Sequence, residues 1–139
     1  MAGEEARLWQ ALRPLLAAAP YRPPLLREAA AAIGAPEIGL RRGCKALSRL
    51  GLLLELAPDR FFLRDAAIAM AVEAHALSAE RPDGGFTAAQ FRDRLGNGRQ
   101  LAIQVLDDFD RRGITVRRGD LRRAGKDPAL VFGAAQSGG

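Results

Sequence analysis

Residues Phe86 to Arg123 read "FTAAQFRDRLGNGRQLAIQVLDDFDRRGITVRRGDLRR". Thr87 followed three residues later by Gln90 is the reciprocal pairing of a capping box, and Phe86 with Phe91 sits at the positions of a hydrophobic staple. A helix therefore begins here and stops at Gly96. Asn97 is expected to cap the next helix, with Gln100 three residues on, and Ala102, Leu106 and Phe109 give that helix an inner face up to Gly113. "ITVRRGDLRRA" then alternates around Gly119-Asp120, a glycine-first pair that suits a two-residue hairpin turn.

Upstream, the same order is met once already. Helical spacing predicts a first helix over about Glu4 to Ala19, with Leu8, Leu12, Leu15 and Leu16 on one face. "APYRPPLL" stops it. Two helices follow, Leu25 to Ile33 before Gly34 and about Ile38 to Leu50 before Gly51. "LLLELAPDRFFL" then reads as two apolar strands joined through Pro58 and Asp59, and a further helix runs from about Asp65 to Leu77. A constant offset of 62 carries Gly34 onto Gly96, Leu40 onto Ala102, Cys44 onto Leu106, Leu47 onto Phe109 and Gly51 onto Gly113. Ungapped matches of glycine and apolar positions indicate a duplicated unit. Helix, helix, recognition-type helix and a two-stranded wing make a winged-helix domain. The expected fold is mainly α with small β-hairpin wings, an α+β class of tandem winged-helix domains. The expected division is a winged-helix domain with a linking helix over residues 1–80, a second over 81–126, and a tail over 127–139 whose composition, "GAAQSGG" at its end, suits disorder.

Composition narrows the function classes. The 139 residues carry 21 lysines and arginines against 16 acids, a net +5 with a sequence pI near 10.6. Polyanions are the partners such a balance favours. The excess is local, because residues 1–85 hold 11 basic and 10 acidic side chains while residues 86–126 hold 10 and 5. One cysteine, Cys44, and one histidine, His75, exclude an internal disulfide and the usual structural zinc sites. No apolar run approaches the roughly 18 residues of a membrane span. Cys44 aligns with a leucine and reads as a small buried hydrophobe, His75 as a histidine of surface or core, and Trp9 as an anchor of the first helix. No paired carboxylates, nucleophile elbow or metal cluster supports an enzyme.

The two hairpins compare position by position. Residues 52–63 sum to −1, whereas residues 114–125 hold Arg117, Arg118, Arg122 and Arg123 against Asp120, a sum of +3. Since the fold forms without them, the arginines are expected to serve function. The turn sets Arg117 opposite Arg122, and facing like charges destabilise a hairpin. On that ground, replacing both is expected to spare stability or raise it slightly. Arg99 and Gln100 sit at the start of the last helix, where unpaired backbone N–H groups favour a phosphate. Asp107, Asp108 and Asp110 crowd its later half and are expected to keep the helix body away from a nucleic-acid backbone. A small basic corner of this kind suits the loop or bulge of an RNA hairpin, where unstacked bases pack on guanidinium planes or apolar surface.

Here the residues carry a resemblance. The run from Phe86 to Arg123, with its "FRDRLG" helix end, N-x-R helix start, "LDxFDRxGIT" exit and "RxGDxR" wing, resembles the last winged-helix domain of the bacterial selenocysteine-specific elongation factors; residues 1–80 resemble the preceding domain in general pattern. The resemblance implies binding to a messenger-RNA stem-loop near a UGA codon, so that selenocysteyl-tRNA is delivered to the ribosome in the cytoplasm. Its implied RNA-binding residues are Asn97, Arg99, Gln100, Arg117, Arg118, Asp120, Arg122 and Arg123, with Gln100 standing where many relatives have lysine. The family's GTP-binding loop pattern, "GxxxxGK[ST]", does not occur, so no cofactor and no catalysis are expected of this stretch, and the chain reads as the C-terminal piece of a longer factor. No membrane partner or dimer is implied. Two rival readings stand beside it: a winged-helix regulator of transcription reading duplex DNA, disfavoured by the three aspartates, and a protein-docking module, which leaves the second wing's charge without a use.

Overall fold

The structure, a computed structural model, describes residues 3–133. The chain divides into two compact units, Met1–Arg64 and Asp65–Gly139. The first contains α1 (Gly3–Ala17), α2 (Leu26–Ile33), α3 (Glu37–Arg49) and the hairpin β1 (Leu53–Ala57) with β2 (Arg60–Leu63). The second follows with α4 (Arg64–Glu80), α5 (Ala88–Leu95), α6 (Arg99–Arg112), the hairpin β3 (Thr115–Arg118) with β4 (Leu121–Ala124), and a short α7 (Pro128–Phe132). Each unit has the three helices and wing of a winged-helix domain. No helix among the described residues is long and apolar enough to cross a membrane.

The division corrects the expected boundary at residue 80. Adding 62 to Leu26–Ile33 gives Ala88–Leu95, and adding it to Gly3–Ala17 lands within α4. What reads as a linking helix of the first domain is thus the first helix of the second unit, the counterpart of α1. Two side chains tie it there. His75 Nε2 donates to the Ile114 carbonyl at 2.9 Å, and the Ser78 hydroxyl donates to the Gly84 carbonyl at 2.6 Å and accepts from Ala124 N at 3.0 Å. The sequence hides this role because the leucines of α1 have small replacements: Leu12 and Leu16 align with Ala74 and Ser78, all four buried. Volume returns from α5, where Phe91 stands at the position of Ala29.

The first core gathers Leu12, Leu16, Leu26, Leu40, Cys44, Leu47, Leu53 and Phe61, with Trp9 partly buried against it. Cys44 is an inert member, its thiol pushed up to about 11 by burial. The second core is aromatic. Phe86, Phe91 and Phe109 are fully buried, with Phe91 and Phe109 edge to face at 6.5 Å. Burying side chains of this size is worth about 1.5–3 kcal/mol each.

Local signals place the elements of the second unit. Thr87 Oγ1 accepts from Gln90 N at 3.1 Å while the Gln90 side chain accepts from Thr87 N at 2.8 Å, and Phe86 stacks near Phe91 with centroids 6.4 Å apart. Thr87→Ala is expected to cost about 1 kcal/mol, read as a lower denaturant midpoint with unchanged slope; no shift would mean that the staple alone holds the helix start. The cap of α6 differs from expectation: Gly98, at φ 83°, is the N-cap, and Asn97 lies buried in the preceding turn. The chain must reverse within Gly96 to Gly98, and two left-handed glycines do so without a Cβ penalty.

The start of the expected tail is also ordered. The Asp127 side chain accepts from Ala129 N at 3.0 Å and opens α7, whose Phe132 packs on Phe109 at 6.3 Å and under the Arg112 guanidinium at 5.2 Å. Residues 134–139 lie outside the described residues.

Candidate nucleic-acid interface

The second wing is a twisted antiparallel pair with Arg117 directly opposite Arg122, as the turn predicts. Gly119 takes φ 60° in that turn. A third segment joins the pair, because Phe86 and Arg122 exchange backbone hydrogen bonds, both at 2.9 Å. This single bridge ties the wing to the start of α5. The centre of β4 is therefore hydrogen-bonded on both sides and rigid, which suits a surface that must hold side chains in a fixed arrangement.

Alternation along the strands splits the four wing arginines. Arg117 and Arg122 point to one face of the hairpin. Arg118 and Arg123 point to the other, together with half-exposed Val116 and Leu121. Arg118 is exposed, and Arg123 is 4.0 Å from Asp83. Asp83 in turn accepts from Gly85 N at 3.0 Å, which holds its carboxyl below the usual carboxylate range.

On the first face lies an open groove of about 460 Å³. Thr87, Ala88, Ala89 and Arg92 of the α5 end form one side, Arg99 and Ile103 of α6 another, and Arg117, Asp120 and Arg122 the wing side. Of the eight residues expected at the site, the groove gathers Arg99, Arg117, Asp120 and Arg122. Gln100 is exposed at the helix start but does not line it, Arg118 and Arg123 are on the opposite face, and Asn97 is 1% exposed, enclosed within the α5–α6 turn. Sequence reasoning missed Arg92 and Ile103. Their signal was helical spacing: Ile103 is one turn beyond Arg99, and Arg92 is one turn beyond Ala88, so each faces the groove with its neighbour.

Arg122 is not a free cation on this surface. It is 3% exposed; its Nη2 donates to Asp107 at 2.8 Å and its Nε to Asp110 at 3.1 Å. Asp110 also accepts from the Thr115 hydroxyl at 2.6 Å. Beside the expected use of these aspartates, to hold off phosphates, stands a structural one. Asp107 and Asp110 pin the wing to α6, while the buried Asp108 binds Arg112 at 2.6 Å and lies 3.6 Å from Arg111. The like-charge conflict between Arg117 and Arg122 is resolved by a carboxylate between them, since Asp107 also lies 3.9 Å from Arg117. With Arg122 neutralised, the groove presents Arg92, Arg99 and Arg117 around an apolar floor of Ala88, Ala89 and Ile103. Arg92 is itself paired with exposed Asp93 at 2.8 Å. Exposed guanidiniums around an apolar floor can hold phosphates at the rim and an unstacked base on the floor.

Comparison with known proteins follows the same lines. A family profile described as the winged helix of elongation factor SelB matches residues 79–124. The selenocysteine-specific elongation factor of Escherichia coli (strain K12) is 36% identical over 117 residues, 84% of this chain and 18% of that protein. The one from Haemophilus influenzae is 32% identical over 95 residues, 68% of this chain and 15% of that protein. The chain thus spans less than a fifth of the length of these relatives. Among solved structures, the mRNA-binding domain of E. coli elongation factor SelB, in complex with SECIS RNA, superposes with a TM-score of 0.79 at 33% identity, covering 91% of this chain and 100% of that one.

Proposed function

Because the chain belongs to the SelB elongation-factor family, we propose that its second winged-helix unit grips a stem-loop in messenger RNA, the SECIS element, beside a UGA codon. The full-length factor then delivers selenocysteyl-tRNA to the ribosome at that codon. Tethering of this kind raises the local concentration of the charged tRNA complex at one site on the message. GTP binding belongs, on this reading, to other parts of the family protein, and the stretch described needs neither cofactor nor catalysis. It acts as a monomer in the cytoplasm.

The groove between α5, α6 and the wing carries the proposal. Arg99, Arg117 and the newly recognised Arg92 are its phosphate and base contacts, Ile103 is the apolar surface for an unstacked base, and Asp120 and Gln100 lie at or near the rim. Arg118 and Arg123 add long-range attraction from the far face. Arg122 contributes by holding the wing in place, and Asn97 is enclosed in the turn before α6. Reading of duplex DNA by a transcriptional regulator is not favoured, since the solved relative is bound to a messenger-RNA element.

A competition across a salt series tests this. A stem-loop RNA, the same RNA with its loop closed into duplex, and duplex DNA are titrated against the chain. The stem-loop is expected to bind tightest at every salt concentration, with a log–log slope of roughly 0.7–0.9 per phosphate contacted. Equal affinity for all three would leave only nonspecific charge attraction and sink the proposal.

A further inference from the structure

We propose that Asp107 of α6, next to Arg117 and beyond the lining of the groove, sets the selectivity of this surface, so that continuous duplex backbones are refused while a loop entering at the helix start is accepted. The inference rests on the stem-loop reading above. The offset of 62 aligns Asp107 with Lys45 and Arg117 with Glu55, so the two units build the same helix-to-wing pair with opposite polarity. In the first unit the pair is closed, Lys45 Nζ lying 2.7 Å from Glu55. In the second it is held open at 3.9 Å, because Asp107 Oδ1 is already committed to Arg122 at 2.8 Å.

Two consequences follow from that geometry. Arg117 is oriented by its own Nε donating to the Gly119 carbonyl at 2.9 Å, with the Asp107 carboxylate 3.9 Å away. It therefore meets RNA already oriented, with half of its side chain exposed. Asp107 has a side chain 42% exposed on the middle of α6, so it also faces whatever lies along the helix body. A phosphate chain laid along α6 meets a carboxylate there, and like-charge juxtaposition of this kind discriminates against wrong partners more than it strengthens right ones. A loop held by Arg99 at the helix start and Arg117 at the wing has no need to pass it. If Asp107 served only to neutralise Arg122, it would be partly redundant with Asp110, which already meets the same guanidinium.

Asp107→Asn keeps the shape and removes the charge. Binding of a stem-loop RNA and of its fully paired duplex is measured across a salt series, with the thermal midpoint recorded for each protein. The expected result is duplex binding about fivefold tighter, with a salt slope steeper by about 0.9, one additional phosphate. Stem-loop affinity changes less, so selectivity falls. Asp107→Glu retains the charge and is expected to retain selectivity, and Glu4→Gln, the same charge change in the first unit, is expected to leave the ratio unaltered. If the asparagine variant melts early, its binding is measured at a temperature below its midpoint where its circular dichroism equals that of the wild type. Unchanged duplex affinity and slope in a variant whose wild type prefers the stem-loop would overturn the role of Asp107. A wild type without that preference would instead overturn the stem-loop reading, so the two failures are told apart.

Discussion

Replacing Arg99 and Arg117 together by alanine is expected to weaken stem-loop binding by about a hundredfold. Each guanidinium offers charge-assisted hydrogen bonds worth about 1.5–3 kcal/mol when made to a phosphate, and two lost contacts at the low end of that range, as suits an exposed groove, correspond to roughly two decades in Kd. Both residues are exposed and line the groove, so the thermal midpoint is expected to stay close to wild type, as for surface substitutions in general. The salt slope should shrink by about 1.5, since two phosphate contacts disappear. Arg118→Ala with Arg123→Ala provides the comparison. These remove the same charge from the opposite face of the hairpin, and a much smaller loss is expected because only long-range attraction is affected. If the two pairs weaken binding equally, net charge matters and the groove does not.

Arg122→Met is expected to act in the reverse sense, costing folding stability of about 3 kcal/mol. Breaking a buried ion pair from one side is expensive because the partner is left without compensation. Asp107 and Asp110 are partly exposed here, which places the cost at the low end of the range for such pairs. Methionine has nearly the length of the arginine stem, so lost packing contributes little. Denaturant unfolding followed by circular dichroism measures the effect. A wild-type midpoint would show that the two aspartates do not hold the wing. This expectation reverses the one drawn from the hairpin alone, in which removal of Arg117 and Arg122 relieves a repulsion. Strand register was read correctly, and facing arginines were found; the carboxylate that reconciles them comes from α6, 15 residues away along the chain. Cross-strand rules count only the two strands.

The same distinction explains the other departures. Capping signals are carried by residues three apart, and Thr87 with Gln90 was legible for that reason. Asn97 carried the same kind of signal and lost to Gly98, because the left-handed backbone at Gly96 and Gly98 turns the chain before the asparagine can reach the helix start. The role of α4 was written in the offset of 62 but masked by its alanines, which carry no periodic bulk until the phenylalanines opposite them are taken into account. Arg92 and Ile103 were missed because a groove belongs to three elements at once, and no single helix reports which of its exposed faces looks into it.

Sequence by itself determined the duplicated helix-helix-wing unit, the pairing of Arg117 with Arg122, the basic character of the second unit and the family, but not that α4 completes that unit. The first three depend on local propensity, period and composition, quantities that neighbours in the chain supply, and the family on the resemblance of the motifs between Phe86 and Arg123. Tertiary structure alone decided which cations remain available. Burial and the approach of Asp107 and Asp110 pair Arg122 within the fold, and the packing of α5 and α6 beside one face of the hairpin leaves Arg118 and Arg123 on the other. A charge has a fixed sign in the sequence, but the free energy it can offer a ligand depends on the opposite charges and the water that folding places beside it.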